Sequence, residues 1–243
     1  MITLIGTGHV FDLSSALIEK LDERQPDVIC VELDGQRYNA LITKHTNPEP
    51  HKNAKKNVPI IYRLLARFQD NMAKEYGVNA GDEMLTAIKY AHSHQIPLKL
   101  IDMNAQSLFT KMLRSMPISE KFRLFLSGFG GIFVSKKRVE NEMKKIEGKF
   151  DTYIEQIGSS FPTIKRTLID ERNNHIAKKL TQLIESHQNI VACIGDGHIP
   201  GISKLLSSDN IEYDSIRLSK LRERKTDEFD TESAHFTTEY KSP

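Results

Sequence analysis

The sequence predicts an α/β fold with a mainly parallel sheet flanked by helices. Its 243 residues contain short, continuously apolar runs of strand length, and segments with helical periodicity separate these runs. Strands that are apolar at every position are typical of a sheet buried on both faces. The strand–helix–strand order implies right-handed crossovers between parallel strands. A hydrophobic content of 39% and a charged content of 27% are those of an ordinary globular domain.

The elements follow in order along the chain. A helix at 12–23 follows the first strand, with Asp12 or Ser14 as its N-cap, and Pro26 ends it before the second strand. A second amphipathic helix is predicted at 82–94. The predicted strands are Met1–Ile5, Val28–Leu33, Leu98–Ile101, Asn189–Ile194 and, as a possible fifth, Glu212–Ile216.

Residues 105–187 interrupt this alternation with an almost entirely helical pattern. We interpret them as a long helical insertion within an α/β domain of residues 1–218, followed by a polar, flexible tail at 219–243. The polar, proline-containing sequence of residues 44–57 predicts an exposed loop. Within the insertion, Leu124–Val134 is uncharged, too short to span a membrane and rich in glycine. We interpret it as a buried or oligomer-facing hairpin, which favours a homodimer, with membrane contact as the alternative.

Composition narrows the possible partners. The formal net charge is only +2, and lysines and arginines are interleaved with acids, so nucleic-acid binding is not expected. Cys30 and Cys193 lie inside apolar runs without metal-type spacing, which favours buried, reduced thiols and a cytoplasmic protein. The sequence begins directly with a strand pattern, so no secretory signal is expected.

Polar side chains follow the predicted strands where each strand ends. The first strand leads into Gly6–His9, the second into Glu32 and Asp34, the third into Asp102, and the fourth into Gly195–His198. Because the carboxyl ends of parallel strands meet at one edge of a sheet, ligands bind there in open α/β folds. Two Gly-x-x-His loops and several carboxylates are therefore expected together.

Imidazole nitrogens and a carboxylate oxygen are suitable ligands for a divalent ion such as zinc, manganese or iron. The sequence therefore predicts a metal site formed by His9, His198 and Glu32. Glu32 follows four apolar residues and would need a cation or a hydrogen-bond donor as partner, although a strand-end acid in water is the alternative. The other seven histidines have no such context.

Four further residues are candidates for the same site. Arg172 lies on the apolar stripe of a helix, so it needs an anion, which is either a site or substrate carboxylate or an interior ion-pair partner. Asn173 beside it could donate a hydrogen bond into the same space. Arg37 could pair with Glu32 from the start of a helix, or that helix start could face solvent. Glu83 either faces the site or simply favours a helix N-terminus.

Together these segments resemble the TraB/PrgY family, which is grouped with the Tiki proteins, the erythromycin esterases and the haem-binding ChaN proteins. The similar pieces occur in the family's order and cover roughly residues 1–216. They are Ile5–Val10, Val31–Asp34 with Arg37-Tyr38, Ala80–Met84, Leu100–Asp102, Asp170–Asn173 and Gly195–Gly201.

The resemblance implies an α/β core with paired Gly-x-x-His motifs. Tiki relatives are described as metal-dependent proteases that act on a peptide, with manganese or cobalt supporting activity, and PrgY-like members limit the response to a peptide pheromone. Position by position, it implies His9, His198 and Glu32 as the site core, with Glu83, Arg37 and Arg172 around it.

Two features depart from the family's pattern. Many TraB-type members continue into C-terminal membrane-spanning helices, and this sequence contains none, so membrane association is expected only if the chain is truncated. The second histidine loop carries Asp196 where a small residue is more usual. An additional carboxylate at that position would alter the metal preference.

The expected function is metal-dependent hydrolysis of an amide bond, in a peptide, with a manganese, cobalt or zinc ion as cofactor. Glu32 or Glu83 is the expected general base, and Arg172 stabilises the oxyanion or anchors a carboxylate. Three alternatives remain open at this stage: a peptide-binding protein without catalysis, a metal-free hydrolase that uses histidine and glutamate, and a haem-binding protein.

Overall fold

A five-stranded, all-parallel sheet with the order β3-β2-β4-β1-β5 forms the centre of the fold. The computed structural model describes residues 1–8, 13–46, 81–131, 155–156 and 158–222. The sheet and the helices on both of its faces confirm the predicted α/β class. The strands are β1 (Ile2–Thr7), β2 (Val28–Val31), β3 (Leu98–Leu100), β4 (Ile190–Gly195) and β5 (Tyr213–Ile216).

All five predicted strands are present, with shifted ends. β1 continues through Thr7 because Gly6 and Thr7 pair with Ile194 and Gly195 of β4. The glycine that begins each Gly-x-x-His loop therefore lies at the carboxyl edge of the sheet, on neighbouring strands. This register brings the starts of the two loops together, and His9, at the end of the first loop, lies outside the described residues.

Helices cover both faces of the sheet. A π-helical turn, Arg166–Asp170, joins two helices of the insertion, and a 3-10 turn, Asp196–His198, leads out of β4. The helices are α1 (Ser14–Arg24), α2 (Gly35–Thr46), α3 (Asp82–Ser93), α4 (Ala105–Ser115), α5 (Ile118–Gly131), α6 (Pro162–Lys165), α7 (Glu171–Leu183) and α8 (Ile199–Ser208).

Two local predictions need correction. Leu124–Val134 is not a hairpin in its described part, because α5 extends to Gly131, and residues 132–134 lie outside the described range. The three glycines fall in the last turn of α5, where a helix tolerates them best. Residues 44–46 belong to α2 instead of the predicted loop 44–57, whose remaining residues lie outside the described range.

The predicted N-cap of the first helix also needs correction. The residue at the N-cap of α1 is Leu13, which makes no side-chain capping bond. Ser14 is already the first residue of the helix, and Asp12 lies outside the described residues.

Alternate residues of β2 and β4 enter two separate hydrophobic clusters. Ile29 and Val31 point toward the face covered by α1 and α3, and Val28 and Cys30 toward the face covered by α7 and α8. Cys30 and Cys193 are buried and unbonded, as predicted. Burial raises the pKa of both thiols to about 12, so they remain protonated at neutral pH.

The connections of β1 and β4 create a crevice at the carboxyl edge. From β1 the chain passes to α1 on one face of the sheet, and from β4 it passes through the Asp196–His198 turn to α8 on the other face. The two strands are neighbours, and the helices that follow them lie on opposite faces of the sheet. Such a switch point is where open α/β sheets bind ligands.

The described part of the predicted insertion contains helices and turns. Residues 218–222 are helical, and Leu221 packs into the cluster of α1 and α3, whereas residues 223–243 lie outside the described range. Among the described residues, no helix combines the length and apolar character needed to cross a membrane.

Candidate functional site

Arg172 lies at the centre of the crevice and joins the ends of three strands. Its Nε and Nη2 donate to the two carboxylate oxygens of Asp102, at 2.9 and 2.7 Å. Nη2 also bonds Glu32 Oε1, and Nη1 lies 3.0 Å from His198 Nε2. Because Arg172 lies on an apolar helix face, its guanidinium needs an anion, and these two carboxylates provide the negative charge. They hold the pKa of Arg172 above its ordinary value in spite of burial, so the side chain stays cationic.

His198 is held in one tautomer by its two neighbours. A guanidinium can only donate, so Nε2 of His198 accepts from Arg172 and carries no proton. The proton is then on Nδ1, which donates to Asn173 Oδ1 at 2.6 Å. Burial lowers the pKa of His198. The negative charge of Glu32 raises this pKa and the positive charge of Arg172 lowers it, and the net shift is downward. The imidazole is therefore neutral at pH 7, with its lone pair directed into the crevice.

Glu32 is buried yet ionised. Burial alone would raise the pKa of Glu32, but the neighbouring His198 and Arg172 side chains and the N–H of Gly195 together hold it below its ordinary value. That N–H donates to Glu32 Oε2 at 2.6 Å, so both carboxylate oxygens have donors. An added Cβ at Gly195 would lie 3.4 Å from Oε2, which is ordinary contact, so the backbone N–H is the contribution of this residue.

Arg37 extends the network to the rim of the crevice. Its Nη1 donates to Asp102 Oδ2 at 2.8 Å, and its side chain is 37% exposed. Asp34 organises this side, because it accepts N–H bonds from Gln36 and Arg37 at the start of α2 and from Ala105 at the start of α4. Two carboxylates, Glu32 and Asp102, thus face two arginines.

The loop acid Asp196 has a structural role and does not point at this network. Arg217 binds its carboxylate in bidentate fashion, at 2.9 and 2.8 Å, and the Leu218 N–H donates to it at 2.8 Å. A Cβ on Gly6 would lie 2.3 Å from Asp196 Oδ1, so the glycine of the first loop makes room for this acid. Asp196 therefore ties the second loop to the residues after β5.

The described structure brings five of the predicted site residues into one network. Glu83 is buried in the first turn of α3, on the sheet face covered by α1 and α3. Burial chiefly, together with the nearby Cys30 and Glu83, raises the pKa of Cys193 on this face. His9 lies outside the described residues. Asp102 was noted as a strand-end acid but not assigned to the site. Its position after β3 was the available signal. The five residues are Glu32, Arg37, Arg172, Asn173 and His198.

The two described residues of the predicted metal site fit an ion in atom type. His198 Nε2 and Glu32 Oε1 are 3.6 Å apart, and Asn173 orients the imidazole from the other side, as outer-shell partners of metal-bound histidines do. Both atoms bond Arg172 here, so an ion would have to displace the guanidinium from them. Within the described ranges, no three His, Cys, Asp or Glu side chains form a group that could hold a metal ion.

The lowered pKa of His198 predicts acid sensitivity of the fold. The ordinary pKa of histidine is about 6.5. Below this pH the unfolded chain binds a proton at His198 that the folded chain does not yet bind. The free energy of unfolding should therefore fall as pH drops from 6.5 toward the folded pKa. Urea unfolding at a series of pH values measures this slope.

His198→Gln should flatten the slope between neutral and mildly acidic pH, and His92→Gln, at an exposed position, should not. His175 adds to the slope in the wild-type protein and in the two variants alike, because burial and Lys179 lower the pKa of His175 too. Equal slopes for the wild-type protein and His198→Gln would contradict a neutral, buried His198.

Comparison with known proteins identifies the family of the chain. The model of the TraB/PrgY/gumN family matches residues 1–211, which include every residue of the network. The chain belongs to the TraB/PrgY/gumN family. The family resemblance inferred from the ordered motifs is thereby confirmed.

Relatives of this TraB-family chain come from archaea and animals. An uncharacterized protein of Methanocaldococcus jannaschii is 32% identical over 237 residues, which cover 92% of this chain and 58% of the relative. The human and mouse TraB domain-containing proteins are each 22% identical over 240 residues, which cover 85% of this chain and 62% of theirs. The chain thus spans about three fifths of the length of these relatives.

Proposed function

We propose that this TraB-family chain is a metal-dependent hydrolase that cleaves an amide bond in a peptide at the Arg172 crevice. The observation that carries the proposal is the state of His198. Its imidazole is neutral, its tautomer is set by Asn173, and its lone pair lies beside an ionised Glu32 and a permanent cation. A base, a carboxylate and an electrophilic donor within one buried cluster are the groups that acyl-transfer chemistry requires.

A divalent ion held by His198 Nε2, Glu32 Oε1 and His9 would polarise the carbonyl and acidify water. The protein's own groups have separate tasks. Arg172 can release a donor toward the oxyanion, because Asp102 alone still holds it through two bonds. Asn173 keeps the Nε2 lone pair of His198 oriented. Arg37, at the rim, is placed to bind a carboxylate of the peptide.

A second candidate, a metal-free hydrolase, is favoured by one specific contact. Nη1 of Arg172 bonds the atom of His198 that would bind the ion. In this alternative, His198 Nε2 accepts the proton of the attacking water once Arg172 has turned toward the substrate. The lowered pKa keeps His198 in the required unprotonated form at neutral pH.

The experiment combines metal analysis with hydrolysis. Protein purified without chelator is analysed for metal by mass spectrometry, and fluorogenic peptides are then assayed with manganese, cobalt, zinc or chelator. The variants are His198→Ala and the double variant His9→Ala/His198→Ala. His92→Ala, at an exposed histidine, is the matched control. Loss of a general base or metal ligand should lower kcat/KM by about 100-fold or more.

Each outcome decides between the candidates. Bound metal that the double variant loses, with activity that chelator abolishes, supports the metal-dependent enzyme. Activity that survives chelator but not His198→Ala supports the metal-free enzyme. Peptide binding without turnover, unchanged by either variant, would contradict both and indicate sequestration.

A further inference from the structure

Helix α5 carries the most exposed large apolar side chains of the described residues. Ile118, Phe122 and Leu126 are 84%, 62% and 55% exposed. Their four-residue spacing places them on one face of the helix, as a continuous stripe. Elsewhere in the described ranges, the large exposed apolar residues are Met1, Ile18 and Ile184, which lie on separate elements and are about half as exposed as Ile118.

The stripe points away from the protein. Glu120, on the opposite side of α5, is 4% exposed, and its Oε1 accepts the N–H of Thr163 at the start of α6 at 3.0 Å. Leu124, on the same side as Glu120, packs against the cluster of α4 residues around Met112. With both of these contacts facing inward, the stripe is the outer surface of the helix.

Basic side chains flank the stripe on both sides. Lys121 and Arg123 are exposed and lie about 100° from the centre of the stripe in either direction around the helix. Arg123 donates one bond to the carbonyl of Ser160 and remains at the surface. Arg114, near the end of α4, is a third exposed cation. The acid of α5, Glu120, is buried, so the positive charge at this surface has no exposed acid on the same helix.

The sequence around α5 concentrates the positive charge of the chain. The described residues 111–131 contain four lysines and arginines and one acid, a formal charge of +3, whereas the whole chain carries +2. The remaining residues together are therefore slightly negative, at −1. A local excess of positive charge beside an apolar stripe is the pattern of helices that lie in the headgroup layer of an anionic membrane.

We propose that α5 docks this protein on an anionic phospholipid surface, with Ile118, Phe122 and Leu126 in the acyl boundary and Lys121 and Arg123 among the headgroups. The apolar stems of both basic side chains allow their charges to remain at headgroup level. A second copy of the chain fits less well, because a two-fold interface uses the same surface on both copies and would bring two positively charged surfaces together. This proposal is independent of the catalytic one.

Vesicle flotation tests the proposal with the full chain. Binding to phosphatidylcholine–phosphatidylglycerol vesicles is expected, with little binding to phosphatidylcholine alone and a decrease at high salt. Ile118→Ser/Phe122→Ser and Lys121→Glu/Arg123→Glu should each weaken binding by about tenfold or more. Matched controls are Ile18→Ser/Ile184→Ser, at exposed apolar residues elsewhere, and Lys178→Glu/Lys179→Glu, on α7.

The controls should bind like the wild-type protein, and thermal unfolding checks that every variant is folded. Absence of wild-type binding to anionic vesicles, or equal binding by the α5 variants, would overturn the proposal. Sedimentation measures whether a second copy of the chain binds to this surface instead. A wild-type dimer that Phe122→Ser converts to a monomer would show that the stripe binds a second copy, and would also overturn it.

Discussion

Replacing Arg172 with methionine is expected to lower the free energy of unfolding by about 3–5 kcal/mol, because it leaves two buried charges without their main counter-charge. The two charges are Glu32 and Asp102, which are 7% and 9% exposed. The Arg172 guanidinium donates four hydrogen bonds of the network, three to these carboxylates and one to His198. Methionine is similar in length and apolar, so the change removes the charge and leaves little empty space. Urea unfolding at neutral pH measures the loss.

A matched arginine and a compensating background make the result specific. Arg166→Met, at an exposed arginine that donates a 3.4 Å bond to the Ser115 hydroxyl, should cost less than about 1 kcal/mol. Adding Glu32→Gln and Asp102→Asn to Arg172→Met should recover much of the lost stability, because the unpaired charges disappear. If the triple variant is as unstable as Arg172→Met alone, the loss comes from packing and the electrostatic account is wrong.

The strands were readable from the sequence, but their order was not. Val28–Val31 is a four-residue apolar run, which a sheet buried on both faces requires. In the sheet, however, β4 lies between β1 and β2, and Val28 pairs with Ile190 more than 160 residues away. Pairing between such distant segments depends on how the helices pack on both faces, and no local pattern encodes it.

The site was predictable where it depends on strand ends and helix faces. Glu32 and His198 follow directly from the ends of β2 and β4, and the periodicity of α7 identified Arg172 as a buried cation. The partner of Arg172 was not readable, because Asp102 was one of several strand-end acids. The orientation of Asp196 was also hidden, because it depends on Arg217, a residue beyond the next strand.

Helix α5 shows why a composition argument can fail. Its glycines and lack of charge after Leu124 favoured a hairpin in isolation, but Glu120 and Leu124 attach the helix to α6 and α4. Tertiary contacts of this kind override local propensity, especially near a helix end. The same contacts leave Ile118, Phe122 and Leu126 at the surface.

The orientation of His198 depends on how closely two helices approach, and Gly201 controls that approach. A Cβ at Gly201 of α8 would lie 2.1 Å from Nδ2 of Asn173 on α7 and 3.1 Å from its Cγ. The amide of Asn173 would have to move, and its 2.6 Å bond to His198 would be lost. This constraint joins residues from two helices, so neither helix alone reveals it in the sequence.

Gly201→Ala is therefore expected to destabilise the protein by about 1–3 kcal/mol, as overpacking does, although alanine normally stabilises a helix relative to glycine. Gly35→Ala, where no atom lies within 4 Å of the added Cβ, should be neutral or slightly stabilising. In an Asn173→Ala background, the cost of Gly201→Ala should largely vanish, since the obstructing amide is gone. Unfolding of the four proteins of this cycle measures the coupling. Additive effects would mean that the backbone of α8, and not Asn173, opposes the methyl group, and that the orientation of His198 does not depend on Gly201.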